Sequence, residues 1–191
     1  MGLAQERLYT YDDYMAMDDD GRYELIYGVL YDITPAPSWV HQSICGNIAV
    51  QINNFLHGKK HKVFTAPFDV RLDPDGDDDT VVQPDITIVC DMSKLDPRGI
   101  GGCNGVPDMV LEIISPSSKQ MDRLTKFQVY QKFGVREYWL VDPATKTVDV
   151  NILTNGKYVK TTYNRTDTVP VRVLEGCEIA LADVFEEIRE L

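Results

Sequence analysis

The chain has 191 residues, 43% of them hydrophobic and 26% charged, which suits one folded domain whose core needs no disulfide or metal. Its 30 Asp and Glu against 19 Lys and Arg leave a formal charge of −11 at pH 7. That field repels nucleic acid and anionic membrane, so a polyanion would need a local basic patch or a divalent cation. The four cysteines, Cys45, Cys90, Cys103 and Cys177, form no CxxC pair and no zinc-like spacing with histidine. No apolar run is long enough to span a bilayer, and the first residues lack a secretory pattern. The expectation is a cytoplasmic protein with reduced thiols and no membrane partner.

In chain order, Thr10 can cap a short helix over residues 11–17, with Asp12 and Asp13 in its first turn. RYELIYGVLYDI (22–33) reads as two strands around Tyr27-Gly28, ended by Pro35 and Pro37. Ser38 is the candidate N-cap of a helix over 39–56, where Ile44, Ile48, Ile52 and Phe55 recur at helical spacing. KVFTAPFDVRL (62–72) is a strand broken near Pro67, and the acidic stretch 73–79 follows. That stretch fails as an EF-hand, because loop positions 6 and 12 hold Asp78 and Pro84; it reads as a solvated hairpin tip.

DITIVC (85–90) and DMVLEII (108–114) are two short apolar runs rich in β-branched residues, joined by a glycine-rich loop. A second helix is expected over about 119–133, with Met121, Leu124, Phe127 and Tyr130 on its apolar side and Gly134 as its stop. REYWLVD (136–142) is another strand. TVDVNIL and KYVKTTY flank Thr154-Asn155-Gly156 as a hairpin, and a closing helix is expected near 182–190. The central order is helix, strand, strand, strand, helix, strand. That order specifies an α/β (α+β) fold with a central mixed sheet flanked by helices, in a single domain over residues 1–191. No GxGxxG or GxxxxGK[ST] follows a strand, which argues against a nucleotide-phosphate cradle.

A few polar residues do not suit a plain core. Glu112 lies inside MVLEII, on a strand whose two faces both read as buried, where a carboxylate needs a partner or a metal. An ion pair with a lysine or arginine is the plain explanation. Asp85 opens the other apolar strand after Gln83-Pro84. Alone it reads as a turn or cap residue; beside Glu112 it can converge on one cation, since two carboxylates plus water and phosphate suffice for Mg²⁺.

Lys126 lies four residues after Asp122 on one helix face, with Tyr130 one turn on. It reads either as a surface ion pair or as a lysine aimed at the carboxylates to orient water or stabilise phosphate charge. Glu24 sits on a strand and can pair with Arg22. His41, in the first turn after Ser38, reads as solvated or capping rather than as a ligand. Ser115-Pro116-Ser117 offers hydroxyls but no matching base.

The set RYELIYG, Pro35, His41, QPDI (83–86), VLEIISPSS (110–118), Asp122, Lys126, Tyr130 and GVREYWLVDP (134–143) resembles a bacterial family of putative restriction endonucleases. That family belongs to the PD-(D/E)XK phosphodiesterase superfamily, and the likeness runs over about residues 10–190. The resemblance implies a restriction-endonuclease-like core and a Mg²⁺- or Mn²⁺-dependent endodeoxyribonuclease. In its site Asp85 and Glu112 would hold the metal, with the Ile113 backbone carbonyl completing the shell. Glu24 would be an additional N-terminal acid, and His41, Asp122 and Tyr130 would be auxiliary.

The superfamily lysine should fall two residues after Glu112, where this chain has Ile114; Lys126 is the implied replacement. The alternative is a catalytically inactive nucleic-acid or protein-binding module on the same fold, which the acidity favours. A phosphodiesterase for RNA or a small nucleotide is a third option. The basic candidates for a substrate path are Lys59, Lys60, Lys62, Lys94, Arg98 and Lys119. By analogy a homodimer is expected, with Tyr158 and Tyr163 as exposed aromatics for its interface.

Overall fold

A computed structural model describes residues 8–18, 21–33, 37–99, 101–116, 118 and 120–186. Pro35, Ser117, Lys119 and the last residues of the expected closing helix lie outside that set. The chain opens with α1 (Tyr11–Met15), capped by Thr10 and Asp13 in a reciprocal capping box. The strands β1 (Tyr23–Ile26) and β2 (Val29–Asp32) then form a hairpin. Its two-residue turn needs positive φ at both positions, and Tyr27 and Gly28 adopt 51° and 77°.

Helix α2 (Trp39–Leu56) starts at the Ser38 cap, whose hydroxyl accepts from the His41 N–H. Its Ile44, Ile48 and Ile52 are fully buried, each contributing about 1.5–3 kcal/mol of transfer free energy. The segment around Pro67 divides as expected into β3 (Lys62–Thr65) and β4 (Val70–Arg71), which join different sheets. Next come β5 (Val81–Val82), β6 (Ile86–Val89), a 3₁₀ turn at Met92–Lys94, β7 (Cys103–Asn104) and β8 (Met109–Ile113).

After β8 the chain enters a π-helical segment, Met121–Lys126, that runs into α3 (Phe127–Phe133) and stops at left-handed Gly134. Then follow β9 (Glu137–Asp142), the long hairpin β10 (Thr147–Thr154) and β11 (Lys157–Asn164), β12 (Thr168–Pro170), β13 (Glu178–Ala180) and α4 (Leu181–Val184). Wide π turns change the phase of a helix face. Consequently Leu124, expected on the apolar side, is 56% exposed, while Asp122 and Lys126 turn inward.

The main sheet has six strands in the order β11-β10-β9-β8-β6-β3. Its neighbours are antiparallel except β8 and β9, which are parallel, so the sheet is mixed. Alternation along β8 divides the interior in two. Met109, Leu111 and Ile113 pack on one side with α2, α4 and the C-terminal strands. Val110 and Ile114 pack on the other with α3 and with Ile26, Val70 and Val82 of a five-stranded sheet, β2-β1-β5-β4-β7. Both faces of β8 are buried, and Glu112 is the one charged residue among its apolar neighbours. Tyr158 and Tyr163, expected as exposed interface aromatics, pack inward on the two halves of this core. Tyr158 also donates its hydroxyl to the Val135 carbonyl at 2.9 Å.

Candidate active site

The pairing of β6 with β8 puts Ile86 opposite Leu111 and Thr87 opposite Val110. One step further along the same register sets Asp85 opposite Glu112. Directly paired residues of an antiparallel ladder point to the same face, with Cβ atoms about 4.5–5.5 Å apart. The two acids therefore share the face that carries Val110 and Ile114. Asp85 Oδ2 also accepts the Ile113 N–H at 2.7 Å, which closes the ladder with a side chain. In a strand a residue's N–H and C=O leave on the same side, so the Ile113 carbonyl is directed toward this edge as well.

Glu112 is only 4% exposed. Its Oε1 accepts from Lys126 Nζ at 2.9 Å and from the Tyr130 hydroxyl at 2.7 Å. Lys126, 6% exposed, also lies 2.8 Å from Glu24 Oε1 and 3.9 Å from Asp122 Oδ1. The Gln83 backbone N–H donates to Glu24 Oε1 at 2.8 Å. Thus Glu24 pairs with Lys126 rather than with Arg22, and the Asp122–Lys126 pair is buried rather than on the surface. The lysine comes from the π-helical segment because that turn carries both residues inward against β8.

Burial pushes the Glu112 carboxyl well above its ordinary range; the Lys126 ammonium pulls it down, and Asp122, Asp85 and Glu24 add to the rise. Burial also raises Asp122. Burial alone would lower Lys126, but Glu112, Glu24 and Asp122 overrule it and hold the ammonium well above its usual value. The arrangement has one ammonium among four acids, Glu24, Asp85, Glu112 and Asp122, which leaves a surplus of negative charge.

His41 corrects its sequence expectation. It is 8% exposed, and its Nε2 lies 3.0 Å from Asp85 Oδ2. The start of α2 docks against the start of β6, so a first-turn residue reaches the acid. The other ring nitrogen, Nδ1, is buried without a partner among the described residues. Cys45, one turn along, places its Sγ 3.6 Å from the Asp85 carbonyl. Burial pushes that thiol up to about 12, so it stays protonated.

These side chains open on a cleft of about 1010 Å³. Glu24, His41, Asp85, Glu112, Ile113, Asp122 and Lys126 line it, whereas Tyr130 supports Glu112 from behind. None of Lys59, Lys60, Lys62, Lys94 or Arg98 is on its wall. Lys94 donates to the Val106 carbonyl at 2.6 Å and Arg98 pairs with Asp96 at 2.9 Å.

A metal fits the donor set in one form only. Among the described residues, no three His, Cys, Asp or Glu side chains cluster as metal ligands. Two carboxylates do converge, and their oxygens are already divided. Asp85 Oδ2 and Glu112 Oε1 are held by protein donors. Asp85 Oδ1 and Glu112 Oε2 take none among the described residues. Two carboxylates and a carbonyl, completed by water or phosphate, match a hard divalent cation such as Mg²⁺.

Two positions that bond to the site's side chains were not singled out in the sequence. Gln83 ties Glu24 to Tyr14 and Asp69, through Nε2 bonds of 3.2 and 2.8 Å. Arg22 bonds the Gln83 amide oxygen at 2.9 Å. The available signal was position: Gln83 precedes Pro84-Asp85, and Arg22 shares a strand face with Glu24 two residues on.

The family described as Uma2, putative restriction endonuclease, matches residues 10–182. The crystal structure of a putative nuclease belonging to DUF820 from Anabaena variabilis superposes with a TM-score of 0.74. It is 22% identical, and the match covers 93% of this chain and 97% of that one, a likeness of fold. No curated protein matches the sequence. No helix among the described residues is long and apolar enough to cross a membrane.

Proposed function

The chain belongs to the Uma2 family of putative restriction endonucleases, and on that footing we propose that it is a divalent-metal-dependent endonuclease that hydrolyses DNA phosphodiester bonds. The observation that carries the reading is the Lys126 ammonium held between Glu112 and Glu24, on the strand face where Asp85 opposes Glu112. A structural ion pair alone would need one acid, not four.

Asp85 and Glu112 would hold Mg²⁺ or Mn²⁺, with the Ile113 carbonyl as a third ligand. When bound, such a metal lowers the pKa of its water and neutralises charge on the phosphate oxygens. His41 and the Ile113 N–H fix the Asp85 carboxylate through Oδ2, and Tyr130 fixes Glu112 through Oε1. Lys126 has three N–H donors. Two are engaged by Glu24 and Glu112, and Asp122 at 3.9 Å lies beyond hydrogen-bond range. The third is available to orient the attacking water or to meet negative charge developing on the phosphate. Glu24, anchored by the Gln83 N–H, sets the position of that ammonium.

The test is plasmid cleavage with Mg²⁺ or Mn²⁺, comparing wild type with Asp85→Ala, Glu112→Ala and Lys126→Ala. Cutting by the wild type alone supports the assignment. Equal activity in all four proteins, or none in any, removes it.

A further inference from the structure

On the nuclease reading, a strand carrying negative charge must enter a cleft with an acidic wall. Glu24, Asp32, Asp85, Glu112, Asp122 and Asp142 all line it. Among the described residues, the permanently cationic side chains facing them are Arg22 and Lys126. Two of the three Lys126 donors are engaged by its carboxylates, and the third serves the phosphate that is cut. Arg22 makes no ion pair among the described residues. Its Nη2 donates to the Gln83 amide oxygen at 2.9 Å, a neutral partner, and its Nε is buried with no acceptor among the described residues. A buried donor without a partner calls for an explanation, and a ligand oxygen supplies one.

The guanidinium is also fixed in place. The Ile33 N–H donates to the Arg22 carbonyl at 2.9 Å, which continues the β1–β2 ladder and anchors the residue's backbone. Gln83, which holds Nη2, is itself tied by Asp69, Tyr14 and Glu24. A planar fork held at one corner keeps its remaining N–H groups for a bidentate phosphate contact. The N-terminus of α2 opens on the same cleft through Ser38 and Val40, and its first turn carries no acid to compete with an anion.

We propose that Arg22 is the substrate-phosphate anchor of the cleft. It grips a backbone phosphate next to the one that is cut, whose own charge is met by the metal and Lys126. This rests on the nuclease reading and adds to it a binding residue that touches no reacting atom.

The experiment measures binding of a short oligodeoxynucleotide, single-stranded and duplexed, by fluorescence anisotropy in Ca²⁺, and its cleavage in Mg²⁺ or Mn²⁺. Wild type, Arg22→Gln and Arg22→Lys are compared on oligonucleotides bearing one neutral methylphosphonate at each position in turn. The expected result is that wild type loses about tenfold or more in affinity at one position. Arg22→Gln binds the unmodified strand more weakly by a similar factor and is indifferent to that methylphosphonate. Its salt slope falls by about one. Arg22→Lys keeps the charge but not the fork, so it retains part of the sensitivity; it answers the question alone if Arg22→Gln does not fold.

If the variants bind and respond to every methylphosphonate as wild type does, the proposal is overturned, and cleavage by all three leaves the nuclease reading intact. A wild type that neither binds nor cuts overturns both.

Discussion

Lys126 Nζ lies 2.9 Å from Glu112 Oε1, joining a helix to a strand 14 residues earlier in a place where almost no water reaches. Removing one member of such a buried pair leaves the other charge uncompensated. Lys126→Met should therefore cost about 3–5 kcal/mol of stability by urea unfolding. Adding Glu112→Gln to that background should restore part of it, because one surplus carboxylate is gone. If the double variant is no more stable than Lys126→Met, the charge account is wrong.

Divalent cations should stabilise the fold by mass action at the same acids. At a hundredfold excess over its dissociation constant a bound ion adds about 2.7 kcal/mol. Melting wild type with and without Mg²⁺ or Mn²⁺ should show a rise that Asp85→Asn abolishes. A rise of equal size in Asp85→Asn would place the ion elsewhere.

His41 orients Asp85 from α2, so His41→Ala should leave the protein folded and weaken metal binding by about 10–100-fold, the usual scale for a partner behind a ligand. Isothermal titration with Mn²⁺ reads this directly. Unchanged affinity would reduce His41 to a packing residue.

Glu137 provides a pH test away from the cleft. Its Oε1 accepts from Trp139 Nε1 at 2.7 Å and its Oε2 from the Val173 N–H at 2.9 Å. Burial raises its carboxyl above the ordinary 4.5, although those donors oppose the rise. A carboxyl raised on folding binds more protons in the native state than in the unfolded one. Its stabilisation is fully present below 4.5 and is lost as pH rises through the folded value. Glu137→Gln should therefore flatten this part of the stability–pH curve, read by denaturation at a series of pH values. An unchanged slope would mean that the group does not titrate there.

Leu124, 56% exposed on the π-helical segment, should tolerate Leu124→Lys within about 0.5 kcal/mol. Tyr130→Phe, in α3, should cost about 1–3 kcal/mol because Glu112 loses a buried donor. Thermal melts of the two variants compare them directly. A larger cost for Leu124 would restore it to the core face that helical spacing predicts.

The sequence by itself carried the order of elements and singled out Asp85 and Glu112, the two acids that line one cleft. The periodicity of α2, the Asn155-Gly156 turn and the two apolar strands with one acid each are local patterns, and local patterns follow from backbone geometry and burial. The family resemblance likewise rests on residues that can be read in line. The pairings were not legible, because they join residues distant in the chain. Glu24 meets Lys126 only when β1 folds against the π-helical segment, and His41 meets Asp85 only when α2 docks on β6. Tyr158 and Tyr163 look exposed as written and are covered once the hairpin closes on the core. Only the tertiary structure decided which acid holds the lysine and which guanidinium is left over. Long-range contacts set the burial and partner of each charge, and a charge's chemistry depends on both.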